Sequence, residues 1–109
     1  MMYKGSCHCG QIAFEVEGEI DKVVECNCSI CQRRGYLLWF VSPDKLRLTS
    51  TPKLATYTFR KHEVQHHFCG KCGCAPYLTG PGRAVINVRC LEGIDLSKLE
   101  RTFHDGKSI

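Results

Sequence analysis

Apolar residues recur along much of this chain at every second position, the period of a strand with one face buried. Gln11 to Val16 places Ile12, Phe14 and Val16 on one side and Gln11, Ala13 and Glu15 on the other. Leu37 to Val41 is a continuous apolar run closed by Ser42 and Pro43, and Leu46 and Leu48 alternate again before the break at Thr51-Pro52. Ala55 to Phe59 and Val64 to Phe68 read as two strands joined by the polar stretch Arg60 to Glu63, which predicts a hairpin. A second hairpin is predicted where Tyr77 and Leu78 run into Thr79-Gly80-Pro81-Gly82 and Ala84 to Val88 follows. Helical period is scarce: a short turn after Cys28, and Leu96 to Leu99 with Asp95 or Ser97 as cap. The fold class expected is mainly β, built of antiparallel sheets. No fixed-period repeat, low-complexity tract or linker divides residues 1–109, so one domain is expected.

Composition changes this picture in one respect. Nine cysteines in 109 residues are far above ordinary usage. No long apolar run follows Met1 that could act as a signal peptide or membrane helix, so a cytoplasmic protein with reduced thiols is expected, one with no membrane partner. In that compartment closely spaced cysteines are metal ligands or catalytic groups more often than disulfides. The formal charge of +4 counts every thiol as neutral. A four-thiolate zinc site contributes about −2 and a three-thiolate site about −1, so the loaded chain stands at about +1. With no lysine or arginine block in addition, nucleic acid is not an expected partner.

The thiols fall into three groups: Cys7-His8-Cys9, Cys26-Asn27-Cys28-Ser29-Ile30-Cys31, and Cys69-Gly70-Lys71-Cys72 followed by Cys74. In extended chain, residues two apart share a face, so Cys7 and Cys9 can present both sulfurs to one ion while His8 points away. Tetrahedral zinc with bonds of about 2.3 Å needs its sulfurs roughly 3.8 Å apart, close to that spacing. Cys69 and Cys72 have the spacing of a zinc knuckle, with Gly70 and Gly73 supplying a permissive backbone. The two half-sites complete one structural four-cysteine site that ties an early strand to a late hairpin. The middle group offers three thiolates. Three protein ligands plus an exchangeable position is the pattern of a catalytic zinc, and an all-thiolate set favours a soft sulfur ligand over hydroxide. A free thiol, with a pKa of about 8.5, would ionise on binding there. Alternatively Cys74, Cys90 or a histidine closes the second site and makes it structural too. Base deamination is excluded, since its ligand-x-Glu and Pro-Cys-x-x-Cys half-sites are both missing.

His66 and His67 lie on opposite faces of an expected strand, so at most one faces the sites, as a proton donor or as a packed ring. Arg33 and Arg34, just past the middle group, either hold the carboxylates of a thiol substrate or form an exposed basic turn. Phe14, Trp39, Phe40 and Phe59 are expected in the core, as are Cys74 and Cys90 if they ligate nothing.

Four strings together resemble the glutathione-dependent formaldehyde-activating enzyme family, which also includes centromere protein V: GSCHCGQIAFEVEG from Gly5, CNCSICQRRG from Cys26, HHFCGKCGCAPY from His66 and AVINVRCLEG from Ala84. The resemblance spans nearly the whole chain. It implies a β-tent fold and two Zn2+ per chain, a structural ion on Cys7, Cys9, Cys69 and Cys72 and a catalytic ion on Cys26, Cys28 and Cys31. It further implies a carbon-sulfur lyase-type enzyme that condenses glutathione, or another small thiol, with formaldehyde. The thiolate would attack the carbonyl carbon and a nearby donor would protonate the new hydroxyl. The centromeric relatives imply the alternative, a non-catalytic zinc-stabilised binding module. Cys74, beside the knuckle, and the short turn from Thr79 to Arg83 depart from the family pattern. The tail Phe103-His104-Asp105-Gly106-Lys107 resembles a family motif without an assigned chemistry.

Overall fold

The computed structural model describes residues 1–108 and is mainly β, as expected from the period-2 patterning. Ten strands form two sheets. In the smaller, β1 (Met2–Ser6), β2 (Ala13–Glu17) and β5 (Leu46–Ser50) lie side by side with antiparallel pairing throughout. The larger has seven strands: β10 (Glu100–His104), β3 (Lys22–Cys26), β4 (Leu38–Val41), β9 (Arg83–Asn87), β8 (Tyr77–Gly80), β7 (Gln65–Cys69) and β6 (Leu54–Tyr57), in that spatial order. Both expected hairpins form, β6 with β7 and β8 with β9. The pair β10 and β3 is parallel, an exception to the antiparallel pattern. Among the described residues no helix is long and apolar enough to cross a membrane.

Because side chains alternate across a strand, the seven-stranded sheet has two faces with different fates. Val23, Leu37, Trp39, Tyr77 and Ile86 point to the three-stranded sheet and join Ile12, Phe14 and Val16 in the main core. Their immediate neighbours Val24, Leu38, Leu78 and Val85 point the other way, into a second apolar cluster with Cys31 and Tyr36. Phe14 and Trp39 are core residues, as expected, but Phe40 is 48% exposed and sits on the second face. Alternation is the reason: in a strand whose Trp39 faces the core, Phe40 cannot.

Candidate metal and thiol-binding site

The four sulfurs of Cys7, Cys9, Cys69 and Cys72 all lie within 4.8 Å of one another. Cys7 Sγ is 3.7 Å from Cys9 Sγ, and Cys9 Sγ is 3.6 Å from Cys69 Sγ. These separations fit the roughly 3.8 Å that tetrahedral zinc requires. Cys7 and Cys9 occupy the turn between β1 and β2 and are not in extended chain. The turn is closed by Cys7 N–H donating to Ile12 O at 3.0 Å and Gly10 N–H to Cys7 O at 3.3 Å. Cys69 ends β7 and Cys72 follows in a knuckle, where the N–H groups of Lys71 and Cys72 both donate to Cys69 Sγ at 3.4 Å. Of the two glycines, Gly73 takes the left-handed backbone (φ 82) that the knuckle needs. Gly70 does not; its carbon instead lies where a Cβ would stand 3.3 Å from Lys53 O. The Cys72 thiol is drawn down to about 5 by N–H groups of Cys74 and Cys9, the charged form that a metal ligand requires.

Cys26, Cys28 and Cys31 form a second group with all three sulfurs within 4.8 Å. Cys26 ends β3, Cys28 precedes helix α1 (Ser29–Arg34), and Cys31 sits in its first turn. Gly35 stops the helix in the left-handed conformation (φ 68), its N–H bonded to Cys31 O at 2.9 Å. Burial raises the Cys28 thiol, yet N–H groups of Cys31 and Ile30 and the neighbouring thiols outweigh it and leave Cys28 below its ordinary value. Burial, then Cys28 and Cys26, hold the Cys31 thiol well above its own. Among the described residues no fourth cysteine, histidine or carboxylate joins this group. Cys74 and Cys90 lie beside the four-thiol cluster: Cys74 O accepts from Cys69 N–H at 2.9 Å, and burial with the neighbouring Cys74, Cys7 and Cys72 pushes the Cys90 thiol up to about 12. The donor set, three soft thiolates on a turn and a helix start, fits zinc.

These three thiols line a cavity of about 810 Å³ on the second face of the large sheet. Its floor is a row of facing residues across adjacent strands: Thr102 beside Val24, Val24 beside Leu38, Phe40 beside Val85, Val85 beside Leu78, and Leu78 beside His66. Of the adjacent pair, His66 is therefore the one that reaches the cavity, which His62 and His104 also line, and it is 4% exposed. Arg34 Nη1 donates to Tyr36 Oη at 2.8 Å, and Tyr36 Oη lies 3.3 Å from His66 Nδ1. A guanidinium has donors only, so the tyrosine oxygen accepts from Arg34 and its own hydrogen is free for Nδ1, the arrangement that puts the His66 proton on Nε2. His67 faces the other way, between Thr56 Oγ1 (2.9 Å) and Thr79 Oγ1 (2.7 Å), with its ring stacked on Tyr77 at 4.7 Å. It is a packed, fully bonded ring.

Burial, then the Arg34 charge and His67, push His66 down to about 4, and burial lowers His67 as well. Both rings are held neutral in the folded protein, and below the ordinary value of 6.5 they become charged when the chain unfolds. Between 6.5 and about 4 the unfolded chain therefore binds a proton that folded His66 does not, so His66 costs stability as pH falls through that window, and His67 acts in the same direction. A proton NMR titration is expected to show no His66 ring shift above about pH 5; a midpoint near the ordinary value would contradict the buried, neutral ring.

Neither Arg33 nor Arg34 lines the cavity. Arg33 folds back to Ser29 O at 2.9 Å, and Arg34 lies over the Phe68 ring at 5.2 Å and reaches His66 only through Tyr36. The cations on the cavity are Arg60 and Lys61, from the β6–β7 loop, and Arg83, at the start of β9. Phe59 lines the cavity and is not in the core. In the sequence Arg60 to Glu63 and Arg83 stand only as turn residues, at the ends of strands whose alternate residues are apolar.

The family described as glutathione-dependent formaldehyde-activating enzyme matches residues 2–104. Among solved structures, a crystal structure of a Rhodobacter sphaeroides protein is 30% identical, covers 91% of this chain and 99% of its own, and superposes with a TM-score of 0.82.

Proposed function

The chain belongs to the glutathione-dependent formaldehyde-activating enzyme family, and from that premise we propose that it catalyses reversible addition of a small thiol such as glutathione to an aldehyde. Two zinc ions per chain are part of the proposal, a structural one on Cys7, Cys9, Cys69 and Cys72 and a second on Cys26, Cys28 and Cys31. The observation that carries it is the three-thiol group at the wall of a cavity, without a fourth protein ligand among the described residues, facing the same space as His66. Zinc held there would keep an added thiol ionised at neutral pH.

In the condensation the carbon-sulfur bond forms, the carbonyl π pair becomes the oxygen lone pair, and the thiol proton ends on that oxygen. His66, neutral with its proton on Nε2, offers a hydrogen bond to the oxygen as its charge develops. Tyr36 and Arg34 hold this tautomer. The cavity's apolar floor limits the water that competes for the oxygen.

Two-dimensional exchange NMR of glutathione with formaldehyde measures the rate at which the adduct forms and breaks. The zinc-loaded protein is expected to accelerate exchange well above buffer, and His66→Phe to remove about 10²-fold of that acceleration, the usual worth of one such donor. Tyr36→Phe should move the ring 15N shifts of His66 toward a mixture of tautomers. A loaded protein that leaves the exchange rate at its buffer value would refute the enzyme and leave a zinc-stabilised binding module.

A further inference from the structure

Much of the cavity has no use in a reaction between a polar tripeptide and a one-carbon aldehyde. Its floor is hydrocarbon from Val24, Leu38, Leu78 and Val85 together with the Phe40 ring, and Phe59 adds a second ring to the lining. At its edge Phe103 is 66% exposed, and Phe40 also shows nearly half its surface. A contiguous apolar surface of this kind, left open to water, marks a binding site more often than chance. Formaldehyde offers nothing to cover it, and neither do the carboxylates and amides of glutathione.

The mouth carries a different chemistry. Arg60, Lys61 and Arg83 line it against a single carboxylate, Glu63. The guanidinium of Arg60 lies 5.6 Å over the Phe59 ring and that of Arg83 lies 5.8 Å over the Phe40 ring. Stacking of this kind holds an arginine head at a fixed place while leaving its N–H edge free. The loop presenting the first two cations is itself shaped: Arg60 and His62 adopt left-handed backbone (φ 56 and 58), uncommon without glycine, and Thr58 Oγ1 bonds His62 Nδ1 at 2.7 Å. The cavity is thus cationic at the rim and apolar along most of the floor, with His66 at one end of that floor and the thiols on the wall.

Resting on the reading of Cys26, Cys28 and Cys31 as a thiol-binding site, we infer that the aldehyde this protein handles carries an apolar hydrocarbon group, and that the thiol partner is a carboxylate-bearing one. The carboxylates lie against Arg60, Lys61 and Arg83, the sulfur at the three-thiol group, and the hydrocarbon on the Val24, Leu38, Leu78 and Val85 floor. The step is RSH + R′CHO giving RS–CH(OH)R′. One carbon-sulfur bond forms, the carbonyl becomes a hydroxyl bearing the former thiol proton, and no electrons leave or enter.

S-alkyl derivatives of glutathione are stable stand-ins for such adducts, and comparing two of them isolates the carbon chain. Titration calorimetry of the zinc-loaded protein is expected to find S-hexylglutathione about thirtyfold tighter than S-methylglutathione, which corresponds to partial burial of the five extra methylenes. Phe40→Ser, at an exposed position, should reduce that ratio at least about threefold, and Arg83→Gln should weaken both derivatives while preserving it. Equal affinity for the two derivatives overturns the hydrocarbon subsite and leaves the thiol-binding reading standing. If neither derivative nor glutathione itself binds, both fall together.

Discussion

Replacing Cys69 by serine is expected to leave the chain without a cooperative fold at room temperature. Cys69 is fully buried at the end of β7, where its sulfur accepts two backbone N–H bonds and lies 3.6 Å from that of Cys9. Cys9 and Cys7 belong to the turn between β1 and β2, so the four thiols fasten the three-stranded sheet to the seven-stranded one. A structural zinc in a small domain contributes roughly 10 to 16 kcal/mol of apparent binding energy, as large as the roughly 5 to 15 kcal/mol by which whole domains are stable. Removing one thiolate lowers the affinity and leaves the sulfurs of Cys7, Cys9 and Cys72, of which Cys7 is buried, converging with no cation to offset their charge. Far-UV circular dichroism during a thermal melt gives the answer directly. Cys90→Ala is the matched control, since Cys90 belongs to neither thiol group, and should melt within a few degrees of the parent. A Cys69→Ser protein that melts alongside that control would show that this cluster is not the staple.

The strands that could be read in the sequence are those with one wet and one dry face, such as β2, or with a continuous apolar run, such as β4. Three others carry no such pattern, for a common reason. β10 is exposed along its whole length, β3 buries only Val23 fully, and β1 reads Met-Tyr-Lys-Gly-Ser with little contrast between its faces. What makes them strands is the ladder with a neighbour, and for β10 and β3 that neighbour is more than seventy residues away in parallel register. No local period encodes such a pairing. The metal clusters were legible because ligand spacing is local within each half-site. The choice between His66 and His67 needed the strand's orientation, which Leu78 and Tyr77 on the adjoining strand fix. The cationic rim was invisible because Arg60 and Arg83 meet only after two hairpins fold toward one mouth. Arg33 and Arg34, adjacent in sequence to the thiols, were the nearer suspects and are turned away from the cavity by the helix that carries them.

Gly106 supplies the other large expected effect, because the tail it belongs to touches the three-thiol group without donating a ligand. A Cβ at this buried position would stand 2.7 Å from Cys26 Sγ and 3.1 Å from Cys28 Cβ, the first well inside any real contact. The backbone there is not left-handed, so alanine is conformationally allowed and the conflict is one of space alone. The tail cannot easily retreat. Asn27 N–H donates to His104 O at 3.3 Å, its side-chain amide to Asp105 Oδ1 at 2.8 Å, and Lys107 N–H returns a bond to Asn27 Oδ1 at 2.9 Å. Nor can Cys28, the residue that immediately precedes α1, so the Cys26 sulfur is the atom that must yield. Gly106→Ala is therefore expected to lower bound zinc from about two ions to about one per chain, with loss of thiol-aldehyde exchange and a melt within a few degrees of the parent. Asn27→Ala makes the graded comparison: it removes the two side-chain bonds that fix the ligand turn and should weaken the second ion by about 10 to 100-fold without abolishing it. Metal analysis after dialysis separates the two variants. A Gly106→Ala protein that retains both ions would mean that the Cys26 thiol has room to move, and that the tail's contact with the site is incidental to its chemistry.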